Sequence, residues 1–223
     1  MNHHFYRSVL AFTAAVLFAP QGAFAADAVD GWNSADGIAF HYVGRVRLNF
    51  LDSSGIVYGY LTALSGVPSP SALFKGTPGE ATAYVTFRAN IKFDSLPGNG
   101  VIGAGQFAVT PFLVQPGAWS IYFTANPAHN WDDPDTFSNG QVIAALQRPV
   151  EQFSVFPTFS LNAGSANLQS STPFTVGGRT INLRDIAPRG LVAVTSGPPI
   201  PLSGSTPTSP IFAVSGYSLV SAR

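Results

Sequence analysis

Cysteine is absent from the 223-residue chain, and only 10% of its residues are charged. The absence of thiols excludes disulfides, cysteine nucleophiles and thiolate metal centres. Eleven basic residues balance eleven acidic ones. There is therefore no basic excess to neutralise phosphates, and the composition argues against nucleic-acid binding. A chain without cross-links must be stabilised by an apolar core, and roughly 200 residues are enough to bury one.

Sequence motifs of several enzyme classes are also missing. The chain has no G-x-S-x-G elbow and no phosphate loop. The glycine pairs Gly98-x-Gly100 and Gly103-x-Gly105 lie among predicted strands with no helix after them, so they do not indicate a dinucleotide site. His41 and His129, the two histidines beyond the N-terminal segment, are far apart in sequence and do not suggest a histidine-rich zinc site. Glu80 and Glu151 each lie beside a turn signal, so we expect both to be solvated rather than to form a glycosidase pair. No cofactor is predicted.

The N-terminus has the features of a secretory signal peptide. Arg7 precedes the apolar run VLAFTAAVLFA, and the tripeptide AFA that ends at Ala25 has the small-x-small pattern of a cleavage site. The run is short for a bilayer span and no second long apolar run follows, so no transmembrane helix is expected. The sequence therefore predicts a signal peptide at residues 1–25. The protein would be exported, periplasmic or extracellular, after cleavage near Ala25.

Most of the remaining chain alternates between apolar and polar residues with a period of two, which is typical of β-strands. In ATAYVTFRANIKF every second residue from Ala81 to Phe93 is apolar, and IAFHYVGRVRLNF, residues 38–50, repeats the pattern. Gly177-Gly178 separates two alternating runs and predicts a hairpin turn. QVIAALQRPVEQF is the best candidate for a helix, but Pro149 interrupts it, and it is interpreted as strand.

The sequence therefore predicts an all-β protein, a single domain built as an antiparallel β-barrel or β-sandwich of about ten strands. Residues 26–37 are predicted to form an N-terminal arm. Residues 38–223 form the β domain, with a Pro/Ser/Gly-rich loop at 196–210. The last strand is expected to pair with the first, which would protect both edges.

The stretch PAHNWDDPDTFSNGQ, residues 127–141, concentrates acids, a histidine and a tryptophan in a chain that has few of each. Calcium prefers oxygen ligands from loops, and the candidate ligands here are Asp132, Asp133 and Asp135. The helix-loop-helix calcium pattern fails, however, and no nucleophile accompanies His129 as an acid-base group. The Asp-Pro and Asn-Gly pairs favour an ordered loop, with Trp131 packed against the fold, rather than a metal site.

A second candidate binding surface is a basic stripe on the polar faces of the two clearest strands, formed by Arg45, Arg47, Arg88 and Lys92. If these strands are neighbours, the stripe could hold an anionic ligand or a glycan. The alternative is the solvated outer face of a sheet.

Three functions of different classes fit these features. The composition favours an exported soluble β-protein with a binding or structural role and no catalysis. The second is a small barrel enzyme of the cyclase or isomerase type with an apolar cavity, and the third is an outer-membrane β-barrel. The C-terminal Arg223 and the prolines Pro111 and Pro157 within candidate strands argue against the third. The predicted partner is a small apolar or anionic ligand or a glycan.

Overall fold

The computed structural model of the chain describes residues 37–95, 110–155, 160–198 and 200–220. The predicted signal peptide, residues 1–25, and all but the last residue of the predicted arm, residues 26–37, lie outside this described part. Within it, no helix has the length and apolar character needed to cross a membrane.

Strands make up most of the described chain. Their bounds are β1 Ile38–Asn49, β2 Ser54–Leu64, β3 Val85–Ser95, β4 Thr110–Val114, β5 Gly117–Phe123, β6 Gln141–Arg148, β7 Glu151–Val155, β8 Ser160–Ser171, β9 Phe174–Val176, β10 Arg179–Ile181, β11 Gly190–Gly197 and β12 Ile211–Val220. Short helical segments are α1 Leu183–Ile186 and the 3-10 turns Pro70–Leu73, Glu80–Thr82 and Pro134–Ser138. The hairpin predicted at Gly177-Gly178 joins β9 and β10.

Eight of these strands form a closed antiparallel barrel. The order around the barrel is β1, β2, β3, β5, β6, β8, β11 and β12, and β12 returns to β1. Tyr42 lies opposite Gly216 in the closing pair, so the expected pairing of the last strand with the first is confirmed. The predicted all-β class is confirmed as a barrel rather than a sandwich.

The two remaining long-sheet strands, β4 and β7, extend the wall at one end. They pair with each other and lie between β3 and β8, beyond the ends of β5 and β6. A dipeptide, Gln115-Pro116, separates β4 from β5, and Pro149-Val150 separates β6 from β7. Because proline has no N–H to donate to the ladder, it interrupts the strand at each place. QVIAALQRPVEQF is thus strand, as predicted, but broken into two.

The apolar alternation predicted for β3 is confirmed. Its inward side chains are buried: Val85, Phe87, Ala89, Ile91 and Phe93. The strand begins later than the alternation predicts, because Ala81 lies in an exposed 3-10 turn that precedes β3. Phe50 also departs from the pattern, because it lies in the β1–β2 turn with 42% of its surface exposed.

The core has two unequal parts. The larger part fills one end of the barrel, where residues of the segment between β8 and β11 join the strand residues: Phe174, Val176, Ile181, Leu183 and Ala187. The smaller cluster lies toward the other end and consists of Val46, Leu48, Ile91, Phe93, Val114 and Val214. The barrel is therefore tightly filled at the first end and only lined with apolar side chains toward the second.

Candidate functional site

The stretch at residues 127–141 folds into a compact loop on the outer face of β2 and β3. Asp133 caps the 3-10 turn Pro134–Ser138, and its carboxylate accepts from the N–H of Asp135 at 3.2 Å. His129 is only 3% exposed. Its two ring nitrogens lie 2.6 Å from the carbonyl oxygen of Thr136 and 3.1 Å from that of Ala83. The buried ring thus lies between a carbonyl of the loop and a carbonyl of the segment just before β3.

Aromatic packing fixes this loop to the barrel wall. The ring of Trp131 lies 5.9 Å from Tyr58, 5.8 Å from Tyr60 and 4.9 Å from Phe137, centre to centre. The Tyr58 hydroxyl donates to the carbonyl of Trp131 at 3.1 Å, and the Thr86 hydroxyl donates to that of Phe137 at 2.7 Å. Tyr58 and Thr86 are fully buried although they point outward from the barrel. The outer face of β2 and β3 is therefore covered here and not solvated.

Two members of the basic stripe contact the acids of this loop. Arg88 Nη2 lies 2.8 Å from Asp135 Oδ1, and Arg45 Nη1 lies 4.0 Å from Asp132 Oδ1. The guanidinium of Arg45 also lies over the Trp131 ring, 4.8 Å from its centre. The carboxylates are 79% and 92% exposed, so the ion pairs themselves add little stability. The loop and half of the stripe thus form one assembly, whose charges partly compensate each other.

The other two members of the stripe lie farther along the same strands. Lys92 is exposed, and its ammonium donates to the carbonyl of Asp52 at 3.4 Å. Arg47 is partly buried and lies between Ile56 and Ile211 in the sheet register. In the described ranges, no group of three or more His, Cys, Asp or Glu side chains is arranged to hold a metal ion.

We expect the melting temperature to be the same in millimolar calcium and in chelator, because Asp133 and Asp135 already have partners within the fold. Asp133→Ala should cost about 1 kcal/mol through the lost cap, whereas Asp132→Asn should change little. Thermal melts and urea unfolding measure both effects. A melting temperature that rises by several degrees with calcium would make the three aspartates ligands instead.

A cavity in the barrel interior is the site that the sequence did not reveal. One part is walled mainly by the smaller apolar cluster, and its free space, counted together with its opening, is about 560 Å³. The adjoining part is about 490 Å³ counted in the same way and is walled by the aromatic rings of Tyr42, Phe87 and Trp119 together with small residues of β8 and β11. Both parts share four polar residues, which are Arg148, Glu151, Asn162 and Thr195.

These four residues and Tyr42 form an interior polar cluster. Arg148 Nη1 lies 3.4 Å from Glu151 Oε2, and Asn162 Nδ2 donates to the same oxygen at 3.5 Å. Arg148 Nη2 also donates to the carbonyl of Asn90 at 3.4 Å. The hydroxyl of Tyr42 forms a hydrogen bond with that of Thr195. The cluster joins β1, β6, β7, β8 and β11 across the interior.

The broken strand explains how both members of the ion pair point inward. Residues three apart on an uninterrupted strand face opposite sides of the sheet, yet Arg148 and Glu151 are 7% and 8% exposed and line the same cavity. The interruption at Pro149-Val150 allows the Glu151 side chain to point to the same side of the sheet as that of Arg148. The expectation that Glu151 is solvated was therefore wrong. The sequence contains a signal for this arrangement, the tetrapeptide R-P-x-E at the end of an apolar run. The proline predicts an interrupted strand, and the interruption places the two charged side chains on the same side of the sheet.

Glycines make room for the cluster. A Cβ at Gly164 would lie 2.2 Å from Cδ of Glu151, and a Cβ at Gly216 would lie 2.6 Å from the hydroxyl oxygen of Tyr42. Any larger residue at either place would displace the polar group above it.

Burial determines the protonation behaviour of the cluster. Burial raises the pKa of Glu151, and the opposing effects of Arg148 and of the Asn162 hydrogen bond are smaller. Burial likewise raises the pKa of Tyr42 to about 12, against the hydrogen bond from Thr195, and the charge of Glu151 adds to the rise. The tyrosine is therefore a neutral hydroxyl at physiological pH.

Two polar atoms of the cluster remain unsatisfied. Arg148 Nε and Asn162 Oδ1 are buried and have no hydrogen-bond partner among the described residues. A buried polar atom without a partner costs about 1–3 kcal/mol. Both atoms belong to side chains that line the cavity, but each atom is itself covered by its neighbours.

In comparisons with known proteins, no family model, no curated protein and no solved structure matched this chain, so the functional argument rests on the geometry of the interior.

Proposed function

We propose that this chain is an exported soluble binding protein that holds a small, largely apolar and uncharged ligand inside its barrel. The observation that carries the proposal is the interior cavity, whose mainly apolar walls include four polar side chains, those of Arg148, Glu151, Asn162 and Thr195. Ligand sites in proteins have this general character, with mostly apolar walls and a few polar groups that fix orientation. An eight-stranded barrel is wide enough to hold one small ligand.

The charges of the cluster favour a neutral ligand over an anion. Arg148 is already paired with Glu151, so the cluster has no net charge. An anion would have to compete with Glu151 for the guanidinium and would meet the carboxylate at close range in a poorly solvated interior. A hydroxyl, carbonyl or amide group avoids this cost and can form hydrogen bonds with the polar side chains that line the cavity.

The walls argue against a glycan at this site. The first part of the cavity presents Val46, Leu48, Ile91, Phe93 and Val114, none of which offers a hydrogen bond from its side chain. Burying the many hydroxyls of a sugar against such walls would leave most of them unsatisfied. Of the ligand classes predicted from sequence, the small apolar one fits the interior best.

Three compounds with the same ring and different end groups test this proposal: benzyl alcohol, toluene and benzoate, each titrated into the purified protein by calorimetry. Benzyl alcohol should bind most tightly, toluene more weakly and benzoate most weakly. Asn162→Ala should weaken benzyl alcohol binding several-fold and leave toluene unchanged. Asn167→Ala is the matched control, since it alters the same residue type on the outer side of the same strand. Binding of none of the three, or preference for benzoate, would contradict the proposal.

A further inference from the structure

We propose that Glu151 acts as a base inside the barrel, removing a proton from the carbon next to the carbonyl group of a small apolar ketone or aldehyde and returning it. The protein would then catalyse a proton-transfer reaction of the isomerase type. This inference rests on the proposed function, because the carbonyl compound must first occupy the cavity.

The geometry of the Glu151 carboxylate is the first support. Both hydrogen bonds that the described residues give it, from Arg148 and Asn162, end on Oε2. None of the described residues donates to Oε1, which lies over Gly164 in space that any side chain there would fill. The carboxylate is thus held at one oxygen while the other is left for a ligand, and Glu151 lines both parts of the cavity.

The free donor of Arg148 is the second support. When a proton leaves the carbon next to a carbonyl, negative charge develops on the carbonyl oxygen, and a donor placed there stabilises it. Arg148 lines both parts of the cavity. Its Nη1 and Nη2 each carry two N–H groups, and the described residues accept one from each, at the Glu151 carboxylate and the Asn90 carbonyl. A base and an oxyanion donor therefore lie side by side in one poorly solvated cavity.

The step balances without any further reagent. Oε1 takes the proton, the electrons of the C–H bond form a carbon–carbon double bond, and the carbonyl π electrons move to the oxygen, which accepts from Arg148. Glu151 then returns the proton to the same carbon, or to another carbon of a conjugated enolate, where return gives a rearranged double bond. No redox change occurs.

The chemistry of the surroundings suits this role. Burial raises the pKa of Glu151, which makes its carboxylate a stronger base than an exposed one. The charged group that acts on it is Arg148, which opposes the rise. Glu151 in turn adds to the rise in the pKa of Tyr42, to about 12, so the Tyr42 hydroxyl stays neutral.

Exchange of cyclohexanone protons for deuterium in D₂O tests the inference, followed by proton NMR at the positions beside the carbonyl, with binding of cyclohexanone measured by calorimetry. Protonated Glu151 exchanges its proton with D₂O at the opening of the cavity before it returns one to carbon, so the protein should accelerate exchange above the buffer rate. Glu151→Gln should bind cyclohexanone but lose about 100-fold or more of the acceleration. Glu80→Gln, the same substitution at the other glutamate of the chain, should keep the full rate. Glu151→Asp should retain a reduced rate if Glu151→Gln fails to fold.

The protein-dependent rate should also rise with pH through a pKa above the ordinary glutamate value and then level off, because only the carboxylate form removes a proton. Binding without accelerated exchange, or equal rates in wild type and Glu151→Gln, would overturn the proton transfer and leave the binding function standing. Failure of cyclohexanone alone to bind the wild-type protein would also overturn the proton transfer, and failure of benzyl alcohol as well would overturn both.

Discussion

Replacing Arg148 by alanine should lower the free energy of unfolding by about 3–5 kcal/mol, because it leaves the Glu151 carboxylate buried without its charged partner. Both side chains are more than nine-tenths buried, and their charged atoms lie 3.4 Å apart. Arg148 also donates to the carbonyl of Asn90, which would lose that partner. Urea unfolding followed by circular dichroism measures the loss. Arg179→Ala, which removes an exposed arginine of β10, should stay within about 0.5 kcal/mol of wild type.

A double replacement separates stability from function in this cluster. Arg148→Met combined with Glu151→Leu removes both charges and fills the space with apolar atoms, and buried ion pairs replaced in this way are often neutral or stabilising. We expect the double variant to be at least as stable as wild type and to lose its preference for benzyl alcohol over toluene. A double variant as unstable as Arg148→Ala would show instead that the pair has a structural role.

Replacing Phe87 by alanine should cost on the order of 3–5 kcal/mol, measured by the same unfolding experiment. The ring is 1% exposed and packs edge-on against Tyr42 and Trp119, with centres 5.4 and 5.9 Å away. It also lies against Gly44 and Gly59, where no side chain can move in to fill the gap. Because Phe87 walls the second part of the cavity, the variant should also accept larger ring compounds than benzyl alcohol.

Lys92→Ala is the control for this prediction, since Lys92 lies on the outer face of the same strand and is exposed. Arg88 is a poor control, although the alternation also places it outside. Its side chain is only 20% exposed and pairs with Asp135 of the covering loop. A cost for Lys92→Ala that matches that of Phe87→Ala would contradict the assignment of the two faces.

The fold was predictable because its determinants are local. The alternation from Val85 to Phe93 indicates which face of β3 is buried, and Gly177-Gly178 indicates the hairpin of β9 and β10. Neither prediction needs any other part of the chain. The choice between barrel and sandwich was not predictable in this way. It depends on whether β12 pairs with β1 and β8 with β11, which are contacts between distant segments.

The interior site was hidden for the same reason. Its members occur singly, at positions 42, 148, 151, 162 and 195, and in sequence each resembles an isolated polar residue in or beside a strand. Only the sheet register brings them together. Glu151 was misassigned because the change of side at Pro149-Val150 is a property of the broken ladder and not of the residues themselves. The loop and the basic stripe are both visible in the sequence, but their mutual contact depends on β1, β2 and β3 being neighbours.

Closure of the barrel by its first and last strands also has a consequence for the order of folding. Tyr42 and Thr195 are 153 positions apart in the sequence, and β12 follows every other strand of the wall. Contacts of such long range slow folding, because much of the chain must lose conformational freedom before they form. The hairpins of β1 with β2 and of β2 with β3 can form early from local contacts. The interior polar cluster, by contrast, is complete only when the wall has closed, so the ability to bind a ligand should be among the last properties that a folding molecule acquires.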